Sequence, residues 1–357
     1  MGCRTAIVTD VQSEMTSKPV LYLHIGMPKC GTTAIQKALG KKRQLLKKHG
    51  TIYPNFGKGP FHHCLYFSMA QGRDEETQSY VTQIKQHISE GYNVILSTEN
   101  FCWSPLKIRP NKIKSVLDLD VDFKIIFYAR NIYDFIHSSY CQSVQGFNSQ
   151  SGLLFEEYVN SKRINNFSYS NIISSWSDVF SKENMNIRIY DRNNFYKGDI
   201  VSDFLHTCNV KDAVSDNVKS EMANVTASYP AIYALAHFNK THTFSRPDMH
   251  SRFLASVTEL VEGNAVIKSF WTEKTANHVE QLFGGEREHL SEILDETLVE
   301  TLFEKPKYEP FNKDAISPQE LSRALSRLSE EYNLIVSSAQ DSNINADETP
   351  LAGAAAK

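Results

Sequence analysis

"HIGMPKCGTTAIQ", His24 to Gln36, is the stretch that decides the fold. The apolar run Val20-Leu21-Tyr22-Leu23 leads into it and reads as a buried strand over 20–25. Gly26, Pro28, Lys29 and Gly31 then make a short loop, and Thr32-Thr33 open a helix over 32–48 that ends near Gly50. Glycines between a strand and a helix let backbone N–H groups converge on an anion. The helix start behind them adds a partial positive charge. A phosphate site is therefore the first expectation, against the plainer reading of a Gly-Pro turn that binds nothing.

Gly26 and Gly31 keep the spacing of a Walker A loop, but Thr32-Thr33 stand where that motif has Lys-Ser/Thr, and the lysine has moved into the loop as Lys29. A nucleotide triphosphatase also uses a strand-terminal Asp to help hold Mg²⁺. Here the third strand ends at Arg130 instead. The pattern describes a phosphate site without a metal. The six cysteines (3, 30, 64, 102, 141, 208) form no metal-ligand spacing and no disulfide framework, which fits reduced thiols and a cytoplasmic location.

Strand and helix alternate outward from the loop. "YNVILST" (92–98), "VDFKIIFYA" (121–129) and "NMNIRIY" (184–190) are further strands, and 131–144 and 199–208 are helices that follow two of them. Continuous apolar runs such as "KIIFYA" belong to strands buried on both faces. The fold class expected is α/β, a P-loop-type parallel sheet flanked by helices, with a helical C-terminal extension. In that extension "SPQELSRALSRLSEEY" is the clearest helix. Ser317 and Glu320 make a capping box, and Leu321, Leu325, Leu328 and Tyr332 make a core-facing stripe. The domain parse is a flexible N-terminus (1–18), one domain over 19–336 that is mostly helical from about 215, and a disordered tail (337–357).

Composition narrows the function. Of 357 residues, 41% are hydrophobic and 22% charged, and 38 basic residues face 41 acidic ones for a net charge of −3, which gives no general attraction to nucleic acid. The basic cluster Lys41-Lys42-Arg43 with Lys47-Lys48 reads as a solvated helix end. There is no apolar stretch of membrane-spanning length and no apolar signal core at the N-terminus. "MGCRTA" begins like a lipidation site, but Ala6 stands where the myristoylation pattern has Ser or Thr.

"PKCGTT" resembles the 5′-phosphosulfate loop of sulfotransferases that use 3′-phosphoadenosine 5′-phosphosulfate (PAPS), with Cys30 where threonine is common. "YARNIYDFIHSSY" resembles their 3′-phosphate motif, matched by Arg130 at a strand end and Ser138 eight residues on; Ile132 replaces the usual proline. A structural role for Arg130, paired with Asp134, is the alternative. The stretch from Asn171 to Leu205 is similar to the bacterial-type sulfotransferase pattern, and "GTIYPNFGKGPFHHCLYF" resembles the Tyr-Pro and His region of that group. The Arg-Lys-Gly loop of cytosolic sulfotransferases has no match, so no residue is assigned to the adenine.

The resemblance implies PAPS as co-substrate without a metal. The acceptor is a hydroxyl-bearing carbohydrate or other small molecule, and the product is adenosine 3′,5′-bisphosphate (PAP). It implies cofactor contacts from Lys29, Cys30, Gly31, Thr32, Thr33, Arg130 and Ser138. Lys29 is the cation for the bridging oxygen, and the N–H groups of Gly31, Thr32 and Thr33 hold the 5′-phosphate. The attacking hydroxyl needs a general base. Glu99, at the end of the second strand, and His63 or its neighbour His62 are the candidates; His24, His87, His137, His206 and His237 read as core or surface. The alternatives are a P-loop kinase or nucleotide hydrolase, and a PAP-binding module without turnover. Cys30, beside Lys29 at a helix start, has two readings: a thiol whose pKa is lowered and which is reactive, or a small side chain that simply points into the protein.

Overall fold

A computed structural model describes residues 18–103, 108–165, 167–210, 227–260, 269–306 and 316–347. Five strands, β1 (Val20–Gly26), β2 (Thr51–Ile52), β3 (Asn93–Ser97), β4 (Asp122–Ala129) and β5 (Met185–Ile189), form one sheet in the order β2-β3-β1-β4-β5. Every neighbouring pair is parallel, so this is the expected α/β sheet with helices on both faces. Leu21, Leu23 and Ile25 on one face of β1 and His24 on the other are fully buried, as are Ile125 to Ala129 on β4. That two-sided burial explains why their sequences are continuous apolar runs rather than alternating ones. The edges are blunt. β2 has two residues, too few for any periodicity to reveal, and β5 is only half-buried along its length.

The order places a topological switch between β1 and β4. After β1 the chain crosses toward β2 on one side; after β4 it crosses to β5 on the other. Ligands of open α/β sheets lie in the crevice this creates beyond the carboxyl ends of the strands.

The helix expected over 32–48 is two helices, α1 (Thr32–Lys41) and a short one, Arg43–Lys48. The break has a local cause. Arg43 donates to the Gly40 carbonyl (3.1 Å) and to the Tyr53 carbonyl (3.1 Å), taking an acceptor that a continuing helix would use. Gly40 is also in contact with the 60s segment, since a Cβ there would lie 2.6 Å from Pro60 Cβ. The helix after β4, α2 (Ile132–Gln145), starts without a proline and is capped by Asn131, its Oδ1 accepting from the N–H groups of Tyr133 (3.0 Å) and Asp134 (3.4 Å). Asn131 Nδ2 donates to the carbonyls of Thr301 (3.0 Å) and Glu304 (2.8 Å), tying the end of β4 to the C-terminal helices.

The capping box at Ser317 forms: Ser317 N donates to Glu320 Oε2 (2.8 Å) and Glu320 N to Ser317 Oγ (3.2 Å). Leu328 is fully buried and Tyr332 packs its ring 4.8 Å from Phe244, so the stripe faces the core. This helix runs to Asp347, past residue 336 where the sequence reading begins the tail; residues 348–357 lie outside the described residues, as do 1–17. Among the described residues no helix is long and apolar enough to cross a membrane.

A buried ionic knot fastens β4 and β5 to the helix α3 (Ile200–Thr207). Asp203, fully buried, accepts from Tyr128 OH (2.6 Å), Arg188 Nε (2.9 Å) and the Tyr196 N–H (2.9 Å), and Arg188 Nη2 completes a bidentate pair. Arg188 is 36% exposed, so water reaches part of its charge. Asp203→Ala leaves a buried phenol and a half-buried guanidinium unpaired, and the expected loss of stability is about 3 kcal/mol. Denaturant titration checks this; a loss under about 1 kcal/mol would show that the knot is solvated.

Candidate active site

The crevice at the switch point is lined by the loop after β1, the turn after β3 and the ends of β4 and β5. The loop geometry is imposed by glycine. Gly26 has φ +107°, and a Cβ there would come within 3.1 Å of Glu99 Cα. Gly31 has φ +71°, and its Cβ would meet Tyr190 Cε2 at 3.0 Å and Ile200 Cγ1 at 3.1 Å. Lys29 adopts the left-handed region too (φ +68°), at a cost in backbone strain. Gly31 is the N-cap of α1 and supplies no side-chain cap, so the first-turn N–H groups of Thr32, Thr33 and Ala34 remain available to an anion.

Arg130 leaves β4 directly beside this loop. Its Nη1 donates to the Lys29 carbonyl (2.9 Å), its guanidinium carbon lies 5.4 Å from the Tyr190 ring centre, and Tyr169 OH donates to its carbonyl. The guanidinium thus reaches the loop and not Asp134. Ser138, two turns along α2, is half-buried, and its hydroxyl has no partner among the described residues. The Lys29 ammonium likewise has no hydrogen-bond or ion-pair partner among the described residues. Burial holds its pKa below the usual lysine range, the nearby Arg130 charge pushes the same way, and Glu99 partly offsets both. Two cations at a half-buried helix start, one of them without a partner among the described residues, could hold a multiply charged anion.

Glu99 opens a 3₁₀ turn (Glu99–Trp103) after β3, and its Oε2 accepts from Thr32 Oγ1 (2.7 Å). The Thr32 hydroxyl is therefore spent on the protein, leaving its N–H for a ligand. The two histidines divide. His62 is fully buried; Nδ1 accepts from the Ser97 N–H (3.1 Å) and Nε2 donates to the Pro54 carbonyl (3.0 Å), so neither nitrogen is free for a substrate. His63, first residue of the helix His63–Ala70, is half-buried and close enough to Glu99 to feel its charge. It stacks on Phe61 (5.3 Å, 7° between planes) and approaches Thr98 Oγ1 (2.7 Å) through Nδ1. Burial lowers its pKa more than Glu99 raises it.

Of the two readings of Cys30, the structure gives the buried one. Its thiol is fully buried, and burial pushes its pKa up to about 12, outweighing the lowering by Arg130 and Lys29. Native protein treated with a thiol-alkylating reagent should show no adduct on Cys30 by mass spectrometry, and denatured protein should; rapid native labelling would overturn the burial argument.

Sequence reasoning missed Tyr190, Thr98, Asn100 and Tyr169. Tyr190 and Thr98 each directly follow the last residue of a strand, the one signal that could have found them. Among the described residues no cluster of three His, Cys, Asp or Glu side chains is placed to hold a metal ion.

Fold and site together define a parallel α/β protein with a glycine-shaped strand–loop–helix and an uncapped helix start at its switch point. No family model matches the chain. An uncharacterized protein of Archaeoglobus fulgidus is 27% identical over 194 residues, 53% of this chain and 50% of that protein, so the chain spans about half the length of the curated relative it matches. A crystal structure of a sulfotransferase from Alicyclobacillus acidocaldarius aligns with 75% of this chain and 96% of its own, at 14% identity and a TM-score of 0.37.

Proposed function

We propose that this chain is a PAPS-dependent sulfotransferase that moves a sulfuryl group to a hydroxyl of a carbohydrate or other small molecule and releases PAP. The observation that carries the reading is the unpaired Lys29 ammonium beside Arg130 at an uncapped helix start. The residues fit the co-substrate's charge at both ends. The N–H groups of Gly31, Thr32 and Thr33 hold the 5′-phosphate, and Arg130 with Ser138 holds the 3′-phosphate. Cys30 contributes its backbone N–H. Bound PAPS supplies an activated sulfuryl group on a phosphate leaving group. Lys29 neutralises charge that grows on the bridging oxygen as that bond breaks, and Glu99 or His63 takes the acceptor's proton. As in phosphoryl transfer, positioning and electrostatics carry most of the catalysis. A single domain over 19–336, an acceptor side beyond about 215, and a cytoplasmic location are parts of the same proposal; the buried, unpaired Cys30, Cys64, Cys102, Cys141 and Cys208 suit a reducing compartment.

A binding titration with PAP and ATP, each with and without Mg²⁺, tests the reading. Metal-independent PAP binding, followed by transfer from PAPS to an acceptor, supports it. Mg²⁺-dependent ATP turnover would point to a kinase or hydrolase, and PAP binding with no transfer to any acceptor to a binding module. Arg130→Ala should weaken PAP about 10- to 100-fold more than an analogue lacking the 3′-phosphate, because a charge-assisted contact is worth roughly 1.5–3 kcal/mol. Equal losses for the two ligands would remove Arg130 from the 3′-phosphate.

A further inference from the structure

Glu99 and His63 stand side by side at the end of β3, and the contacts around them give them different roles. His63 Nδ1 is approached by two groups, Thr98 Oγ1 at 2.7 Å and Asn100 Nδ2 at 3.0 Å. Asn100 Nδ2 is a donor. Thr98 Oγ1 already accepts from the Asn100 backbone N–H (3.3 Å) and from Asn100 Nδ2 (3.4 Å), so its own proton is the one left to point at His63. Donors on both sides require a lone pair on Nδ1, which puts the proton of a neutral imidazole on Nε2. Nε2 has no partner among the described residues and is not a buried unpaired atom, so it is not sealed from solvent. The parallel Phe61 ring fixes the imidazole plane. Glu99 has only one oxygen engaged, Oε2 by Thr32, and Oε1 has no partner among the described residues.

Resting on the sulfuryl-transfer reading above, we propose that Thr98 and Asn100 are positioning residues that hold His63 with its proton on Nε2, so that His63 donates a hydrogen bond to the sulfuryl oxygens while Glu99 takes the acceptor's proton. The bond from the acceptor oxygen to sulfur forms as the bond from sulfur to the 5′-phosphate oxygen breaks. The electron pair leaves on PAP, the acceptor's proton moves to Glu99 Oε1, and His63 keeps its own. A neutral donor suits this place, since burial lowers the His63 pKa and so favours the uncharged ring.

The test begins with ¹⁵N NMR of the full chain labelled at histidine, the His63 signals assigned by their loss in His63→Gln. The expected result is an unprotonated Nδ1 and a protonated Nε2 at pH 7.5. Asn100→Asp places an acceptor at Nδ1 and should reverse the pair of shifts. In a PAPS transfer assay the same variant should lose kcat about 10- to 100-fold, as supporting-shell changes do, with KM changed less than about threefold. Thr98→Ser, which keeps the hydroxyl, should retain the wild-type tautomer and rate. His63→Gln keeps a donor near the Nε2 position, so the acid limb of its kcat/KM profile should persist. Loss of that limb in His63→Gln, or a proton on Nδ1 in active wild-type enzyme, would make His63 the base and overturn the proposal. Absence of any transfer by the wild type, with the expected tautomer present, would instead overturn the sulfotransferase reading and the donor role with it.

Discussion

Lys29→Ala lowers kcat about 100- to 1000-fold, roughly 2.7–4 kcal/mol of transition-state stabilisation, while PAP affinity changes less than about tenfold. The expectation rests on where the charge is needed. Under the proposed reading, loop N–H groups and Arg130 meet the ground-state phosphates, and the Lys29 ammonium answers charge that appears only as the bridging bond breaks. The substitution is a clean one. Alanine carries the same Cβ at φ +68°, so the loop gains no new strain, and Arg130 Nη1 is anchored on the Lys29 backbone carbonyl, which the variant keeps. Because burial and Arg130 lower the Lys29 pKa, the free enzyme should lose activity on the alkaline side at a lower pH than an ordinary lysine gives. That limb should vanish in Lys29→Ala. Parallel losses of PAP binding and turnover, measured by titration and single-turnover kinetics, would make Lys29 a ground-state anchor and end this assignment.

Acidification from pH 7 toward pH 4.5 should strip stability steeply, and three buried histidines are the reason. Burial lowers the pKa of His24 to about 3, and of His62 and His137 to about 4, against 6.5 for an exposed imidazole. The folded pKa values lie below the unfolded ones, so between about pH 6.5 and 4 the unfolded chain binds more protons than the native one. Stability therefore rises with pH across that window and is lost as pH falls through it. With three sites the slope approaches about 4 kcal/mol per pH unit. Each site has a physical reason to stay neutral. His24 sits among Tyr128, Phe204 and Ser97, with Nε2 buried and unpaired. Protonating His62 Nδ1 would break its bond from Ser97 N–H. His137 lies under the rings of Tyr229 and Phe270. Urea titrations at pH 7, 6 and 5 measure the slope, and His62→Gln should remove about a third of it. Stability that stays flat from pH 7 to 5 would contradict the burial of these rings.

Local sequence determined the parallel sheet and its loop. A strand buried on both faces must be apolar throughout, a tight strand-to-helix loop must place glycine at positive φ, and a helix start announces itself by residues such as Ser317 and Glu320. These are short-range requirements, and they are written where they act. The same logic put Lys29 and Arg130 at the carboxyl ends of two strands and brought them to one crevice, although they lie about 100 residues apart. What tertiary structure alone decided is the surroundings of each side chain. Cys30 resembles a reactive thiol in sequence, between a lysine and a helix start, yet the packing around it excludes water, and desolvation outweighs both nearby cations. His62 and His63 are adjacent and chemically identical, but one has both nitrogens bound inside the fold and the other keeps one open. Burial and hydrogen-bond partners depend on residues far along the chain, Ser97 and Thr98 in this case, so no local pattern could separate that pair.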